Sequence, residues 1–212
     1  MKQQSFLQNV LRIAVPVALQ SMLQSSFSMI DQVMVGQLGS TSIAAVGIAG
    51  KFAFLYSVVI GAVTAIAGIM IAQYIGQKDQ KAADRSLYVN LLVAGGIGLV
   101  FTLLSLLIPG PIMRLYSEDA DAIRDAATYL RIIAGTYLPV GFASTLSVML
   151  RCQDRAKVPL LAAIASALTN TGLNYILIFG KLGAPALGVK GAAIASVAKL
   201  VFQAETAAMN AK

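Results

Sequence analysis

The sequence predicts an all-α membrane protein built as one six-helix transmembrane bundle. Of its 212 residues, 58% are hydrophobic and only 12% are charged, whereas a soluble domain carries roughly 25% charged residues. The charges cluster and leave long uncharged runs between them, and a spanning helix needs about 18–20 such residues. Because backbone polar groups in lipid must be satisfied within the segment, these runs are predicted to be helices.

Five runs are long enough to be full spans, and they are 13–30, 52–77, 86–113, 132–150 and 158–180. A sixth run at 186–203 is interrupted by Lys199 and followed by Glu205, so we expect an incomplete span there.

Two of the connections have a predicted form. Residues 117–131 have the pattern of an amphipathic surface helix, with Ser117 as its N-cap and Arg131 late in the helix, where the helix dipole favours a cation. The segment 182–191 contains Pro185 and three glycines and is predicted to be a turn.

The first span carries a polar face. Asp31 is the only ionisable side chain in the apolar run 13–39, and a charge at the centre of a bilayer costs about 2.5–3.5 kcal/mol on the insertion scale. Gln20, Gln24 and Ser28 precede it at helical spacing, so this face should meet other helices or water. The alternative is that Asp31 lies at the outer helix end and is simply hydrated. Pro16, one turn below the face, removes a backbone hydrogen bond and allows a hinge.

The fifth span offers a matching polar face, formed by Ser166, Asn170 and Asn174 at steps of four. An Asn side chain both donates and accepts hydrogen bonds, so it can hold a protonated carboxyl group or share a bound cation with Asp31. The alternative is that these side chains only join neighbouring helices through hydrogen bonds.

The charge distribution indicates topology. The net charge is +7, and the loops that would be cytoplasmic with the N-terminus inside hold Lys78, Lys81, Arg85, Arg151, Arg155 and Lys157. The basic residues are spread over both membrane faces, which argues against nucleic-acid binding. There is no histidine and a single cysteine, Cys152, no Gly-x-Ser-x-Gly motif is present, and the five full spans contain no acidic pair. We therefore expect neither an enzyme nor a metal site.

Several segments resemble the multidrug and toxic compound extrusion family of cation-coupled efflux antiporters. The segment 31–39, with Pro16 before it, resembles the first helix of that family. The segments 71–79, 129–131, 173–180 and 187–196 resemble later parts in the same order. The inner loop after the fourth helix departs from the family pattern, since Asp154 and Arg155 stand where a glycine and an acid are usual.

The resemblance implies a fold and its extent. Family members have twelve helices in two six-helix lobes, with the substrate path between the lobes. This chain would therefore be half of a two-lobe transporter. Residues 1–198 would form the N-terminal lobe and 199–212 an unmatched tail, with the C-terminal lobe absent.

The resemblance also implies a function, namely proton- or sodium-coupled export of organic cations and drugs across the bacterial inner membrane. Asp31, Asn170, Asn174 and, more weakly, Ser196 would bind the coupling H⁺ or Na⁺, with no other cofactor. Gln20, Gln24 and Ser28 would line the substrate cavity. The expected partners are the lipid bilayer, small organic cations, and either a second copy of the chain or the missing lobe.

Two further functions stay open. One is a truncated fragment that does not transport, for which the unmatched tail argues. The other is a lipid-linked sugar flippase of related architecture, although such proteins line their cavity with several basic residues and the five full spans contain none.

Overall fold

The structure, a computed structural model, describes residues 2–210, and the side chains of residues 10–11 and 13–210. This part of the chain is helical and contains no strand. Its helices, in chain order, are α1 (Lys2–Gly36), α2 (Ser40–Gly76), α3 (Gln80–Leu107), α4 (Pro109–Arg114), α5 (Ala120–Ile133), α6 (Tyr137–Cys152), α7 (Lys157–Phe179) and α8 (Val189–Asn210).

Six helical segments within residues 2–210 are long and apolar enough to cross a membrane. They are α1 from Ile13, α2, α3, the stretch Ala120–Cys152, α7 and α8. The predicted fold class, an all-α six-helix membrane bundle, is therefore confirmed. The sixth helix is more complete than we expected, because α8 continues past Lys199 to Asn210 without a break.

The segment predicted to be a surface helix is instead the first part of the fourth span. Helix α5 continues into α6 through a short 3₁₀ turn at Ala134–Thr136. Its apolar residues at helical spacing, Ala122, Ala126 and Leu130, are buried, and α5 packs against α2 and α8. The amphipathic pattern thus comes from a helix whose apolar side packs inside the bundle and whose charged side faces away from it. It does not come from a helix that lies on the membrane surface.

The start of α5 is capped by Asp119, not by the predicted Ser117. The Asp119 side chain accepts hydrogen bonds from the backbone N–H groups of Asp121 and Ala122, which have no partner within the helix. Ser117 Oγ accepts a hydrogen bond from the N–H of Asp119 and so supports the capping residue.

Four aromatic rings hold the centre of the bundle together. Phe52 and Tyr56 of α2 pack against Phe101 of α3 and Tyr137 of α6, with ring centroids between 4.7 and 6.3 Å apart. The Tyr56 hydroxyl donates a hydrogen bond to the backbone carbonyl of Tyr137. Each such aromatic pair adds about 0.5–1.5 kcal/mol beyond area burial, so α2, α3 and α6 form a firm scaffold.

The last two spans are joined by the predicted turn, and they pack closely. Gly180 ends α7 in the left-handed conformation, with φ 67°, as glycine readily does. At the start of α8, a Cβ atom on Gly191 would lie 2.6 Å from the carbonyl oxygen of Leu177. Only glycine therefore lets α8 approach the backbone of α7 at this point.

We predict that Gly191→Ala destabilises the bundle by about 1–3 kcal/mol, because the added methyl group forces α8 away from α7. Thermal unfolding in detergent, followed by circular dichroism, measures the effect as a lower melting temperature. Gly61→Ala on α2 is the matched control, since its Cβ would meet nothing within 4 Å. Equal melting temperatures for the Gly191→Ala variant and the wild type would contradict the close approach.

Candidate functional site

The structure brings the polar faces of α1 and α7 together. Asn174 Nδ2 donates a hydrogen bond to Asp31 Oδ1 at 2.8 Å. The same nitrogen lies 3.5 Å from Asn170 Oδ1, one turn earlier on α7. Both asparagines are almost completely buried, whereas Asp31 is partly exposed. Asp31 is therefore not a freely hydrated group at a helix end, because a buried amide holds it against the neighbouring helix.

A cavity of about 390 Å³ opens beside Asp31, between α1, α2, α5, α7 and α8. Its polar lining side chains are Ser28, Asp31, Gln32, Tyr129, Asn174 and Ser196. The rest of the lining is apolar or glycine. Among the side chains that the structure describes, Asp31 is the only charged one that lines it.

Two buried polar atoms beside the carboxylate have no hydrogen-bond partner in the part of the chain that the structure describes. They are Asn174 Oδ1, an acceptor, and Asn170 Nδ2, a donor. Most buried polar atoms in folded proteins are satisfied, so such atoms call for an explanation. An amide oxygen next to a carboxylate can accept a hydrogen bond from a protonated carboxyl group or coordinate a hard cation. The residues present thus fit H⁺ or Na⁺.

Comparison with known proteins identifies the architecture to which this site belongs. The family model named MatE matches residues 16–176, which run from Pro16 within α1 through most of α7. The chain belongs to the MatE family. The resemblance seen in the sequence is thereby confirmed, and the chain is a multi-pass membrane protein of a multidrug efflux transporter family.

Individual MatE relatives agree. The chain is 32% identical over 188 residues to a probable multidrug resistance protein NorM of Rhizobium meliloti, covering 88% of this chain and 40% of the relative. It is 27% identical over 188 residues to a probable NorM of Thermotoga maritima, covering 89% and 40%. A solved structure of the outward-facing conformation of a multidrug resistance MATE family transporter matches with TM-score 0.84 and 25% identity, over 94% of this chain and 44% of that one.

The chain therefore spans about 40% of the length of the curated MatE relatives that it matches. The described helices correspond to one lobe of that architecture. The predicted division into residues 1–198 and an unmatched tail stays a prediction, and residues 199–210 continue α8 in the structure.

The remaining predicted site residues lie in different places. Ser28 and Ser196 line the cavity with Asp31, and the Ser196 hydroxyl donates to the Ala192 carbonyl within α8. Gln24 is exposed and lies outside the cavity lining. Pro16 is buried, and α1 remains helical through it.

Gln20 lies away from the Asp31 cavity and has a partner of its own. It is 6% exposed, and its Oε1 accepts a hydrogen bond from Arg151 Nη2 of α6 at 3.0 Å. This contact ties α1, one turn after Pro16, to the C-terminal end of α6. The role of Gln20 and Gln24 in lining a substrate cavity stays a prediction.

Tyr129 is a site residue that the polar faces of the first and fifth spans do not indicate. It lies on α5, which was predicted to be a surface helix, so its entry into the bundle was not foreseen. The only sequence signal was its place in the family-like segment 129–131. In the structure its ring lines the same cavity as Asp31 and Ser196.

We predict that Gln20→Ala lowers the free energy of unfolding by about 1–3 kcal/mol, because the half-buried guanidinium of Arg151 loses its hydrogen-bond acceptor. Unfolding by sodium dodecyl sulfate in mixed micelles measures this loss. Gln24→Ala, on the same helix but exposed, is the matched control and should change stability little. If the two variants were equally stable, the Gln20–Arg151 contact would contribute nothing to stability.

Proposed function

We propose that this chain is the N-terminal lobe of a proton- or sodium-coupled antiporter that exports organic cations. The observation that supports this most directly is the contact between Asp31 and buried Asn174 beside a cavity in a membrane-spanning bundle. Ionisable groups inside membrane helices are rare and mark ion and substrate pathways. The family membership and the names of the NorM relatives support the substrate class.

In this proposal, the coupling cation binds between α1 and α7. A proton would join the Asp31 carboxylate, or Na⁺ would be shared by the oxygens of Asp31, Asn174 and Ser196. Either ion removes the negative charge that Asn174 Nδ2 otherwise stabilises by hydrogen bonding. The ion drives transport if it binds one arrangement of α1 better than another, because binding shifts the population toward that arrangement.

The packing of α1 suits a moving element. Among the six candidate spans, α1 has the smallest buried share. Its contacts with α7 are extensive, while those with α2 and α8 are few. Pro16 removes one backbone hydrogen bond in its inner half, so the helix can bend there at little cost. A change at Asp31 would thus alter the position of α1 while the aromatic scaffold of α2, α3 and α6 stays in place.

A lipid-linked sugar flippase is the second candidate function, and one observation favours it. Arg151 and Lys199 are both half-buried, so basic side chains reach the interior of the bundle. The described lining of the cavity beside Asp31, however, contains one acid and no base. An acidic cavity attracts cations, so we favour export of organic cations.

The proposed location is the bacterial inner membrane, with the N-terminus in the cytoplasm. Basic residues in the α2–α3 and α6–α7 connections and in the first turns of α3 and α7 support this orientation, because the cytoplasmic ends of spans and their short loops carry an excess of Lys and Arg. They are Lys78, Lys81, Arg85, Arg155 and Lys157.

We predict that cells expressing this chain export a fluorescent organic cation such as ethidium. The Asp31→Asn variant should export it at least about tenfold more slowly, which corresponds to a loss of about 1.4 kcal/mol of coupling free energy. The loss follows because an amide can neither take up a proton nor balance the charge of Na⁺. Asp125→Asn, an exposed carboxylate on α5, is the matched control and should export like the wild type. Equal export by the wild type and the Asp31→Asn variant at equal expression would refute the role of Asp31. Export of anionic lipid-linked sugars, but not of ethidium, would favour the flippase.

Transport is proposed to require a second six-helix lobe, supplied by another copy of this chain or by a C-terminal lobe. The exposed side of α1 carries several large apolar side chains, and Met22, Met29 and Val33 are each about two-thirds exposed. The matched relatives are more than twice as long as the aligned part of this chain. A partner lobe would cover this side of α1 and enclose a path for substrate.

We predict that two copies pair through α1. In a Cys152→Ser background, Met29→Cys should form a disulfide-linked dimer in membranes, because the two α1 helices would face each other. Leu92→Cys on α3 is 76% exposed and serves as the control that should remain monomeric. Equal cross-linking at both positions would indicate random collision. Transport by a strictly monomeric chain would contradict the need for a second lobe.

A further inference from the structure

A groove of about 430 Å³ lies between α3 and α6, away from the Asp31 cavity. Helix α3 lines it from Tyr88 to Leu99, and α6 contributes Leu138 and Phe142. The Tyr88 hydroxyl, at one end, is the only polar side-chain group in the lining that the structure describes. Leu92, near the middle, is 76% exposed. The groove is thus an apolar channel that opens to the surroundings of the bundle.

Two adjacent glycines of α3 give the groove its depth. A Cβ atom on Gly95 would come within 3.3 Å of the Phe142 ring, so this ring packs directly over the helix backbone. A Cβ atom on Gly96 would meet nothing within 4 Å, so the groove has room for a guest at this point. Association inside a bilayer depends on van der Waals packing, because lipid tails are as apolar as the protein surface. A recess of this kind favours a chain that can follow its shape.

The groove has the length of one bilayer leaflet. From Tyr88 to Leu99 it extends about 16 Å along α3, at 1.5 Å per residue. The hydrocarbon core of a bilayer is about 30 Å thick, so one leaflet spans about 15 Å. Tyrosine is enriched where the membrane meets water, and Tyr88 is at the end of the groove nearer the start of α3. The groove would therefore run from the interface to the middle of the bilayer.

Two basic side chains lie beyond the tyrosine end of the groove. Lys81 and Arg85 are in the first two turns of α3, and both are exposed. At about 100° per residue, each falls within about 20° of Leu92 around the helix, so they share the face that lines the groove. The neighbouring acid Asp84 lies about 80° away on the same scale, and it accepts a hydrogen bond from Gln80 Nε2. Basic residues next to a spanning helix attract anionic headgroups.

We propose that this groove binds an anionic phospholipid, with one acyl chain beside Gly96 and the phosphate held by Lys81 and Arg85. The order of the groups along α3 carries the proposal. The apolar groove ends at a tyrosine and a basic pair follows, which matches a phospholipid that changes from acyl chain to phosphate at the membrane interface. Another protein segment would not require a basic pair at this depth. The site concerns neither the coupling ion nor transport, so it stands apart from the proposed function.

The test uses the absence of tryptophan from the sequence. Leu92→Trp places a single fluorophore in the groove, and the full chain is reconstituted in vesicles of phosphatidylcholine and phosphatidylglycerol. One lipid at a time carries bromine on its acyl chains, and bromine quenches tryptophan at close range. The two quenching curves give the relative affinity of the groove for the two lipids. We expect at least about a fivefold preference for phosphatidylglycerol, as one basic residue near an anionic headgroup provides.

Charge variants test the headgroup site. In the Leu92→Trp background, Arg85→Gln and Lys81→Gln should each lower the preference, and the double variant should bring it close to one. Lys157→Gln removes an exposed lysine of α7, a helix that does not line the groove, and should leave the preference unchanged. An unchanged preference in the double variant would overturn the proposal, as would an equal loss in Lys157→Gln.

A filling variant tests the groove itself. Gly96→Leu places a side chain in the open space and should lower the preference at least about threefold, because the displaced acyl chain loses its packing and no longer holds the phosphate beside the basic pair. Leucine is favoured over glycine inside a helix, so this variant should fold, and circular dichroism checks it. Ala198→Leu fills the apolar groove between α5 and α8 and is the matched control. A preference that survives Gly96→Leu would reduce the effect to surface charge and overturn the site.

The same measurement separates a lipid from other occupants. Equal quenching by the two brominated lipids would mean that ordinary, unselective lipid covers the groove, and the proposal would be wrong. Weak quenching by both would mean that protein, such as a second copy of the chain, covers it, which would also overturn the proposal. Neither result depends on whether the chain exports organic cations, so the proposed function is tested separately.

Discussion

The hydrogen bond between Asn174 and Asp31 is the interaction on which the interior of this lobe depends. A carboxylate inside a membrane bundle cannot rely on bulk water, so the protein must supply the groups that stabilise it. Asn174 is buried and directs its amide N–H at the carboxylate, which adds a hydrogen bond to the extensive packing of α1 on α7. In the proposed function, the position of α1 would follow the charge state of this one side chain, whereas α2, α3 and α6 are fixed by aromatic packing that does not change with charge.

Much of the fold could be predicted because the bilayer imposes a simple rule on length and hydropathy. The five full spans of the sequence analysis all correspond to helices in the structure. The differences arise where a charged residue lies inside a helix. Lys199 suggests a break in the sixth span, yet α8 continues through it, because the long flexible stem of a lysine can carry the ammonium group along the helix surface. The acids and arginines of α5 suggested a surface helix for the same reason, although its other side is apolar and buried.

The candidate site was only partly predictable, because periodicity identifies a polar face but not its partner. The faces of Asp31 and Asn174 were each visible in sequence, and two such faces in lipid have few alternatives to meeting each other. Gln20 has the same spacing as Ser28 and Asp31, but it bonds to Arg151, a residue 131 positions later. Nothing in the local pattern distinguishes a glutamine that lines a cavity from one that holds a neighbouring helix. Tyr129 was missed because its helix was assigned to the surface.

The charge of Asp31 explains why the proposed site would suit either coupling ion. Asp31 contributes one negative charge, and no other charged side chain among the described residues lines its cavity. Because a low dielectric penalises a net charge, a bound proton and a bound Na⁺, which each add one positive charge, would relieve the same penalty. What differs between them is the demand for ligands: Na⁺ needs several oxygens, whereas a proton needs only the carboxylate and an acceptor. Asn174 Oδ1, which has no hydrogen-bond partner among the described residues, can serve in either case, so in the proposed mechanism the charge step that moves α1 does not depend on which cation supplies it.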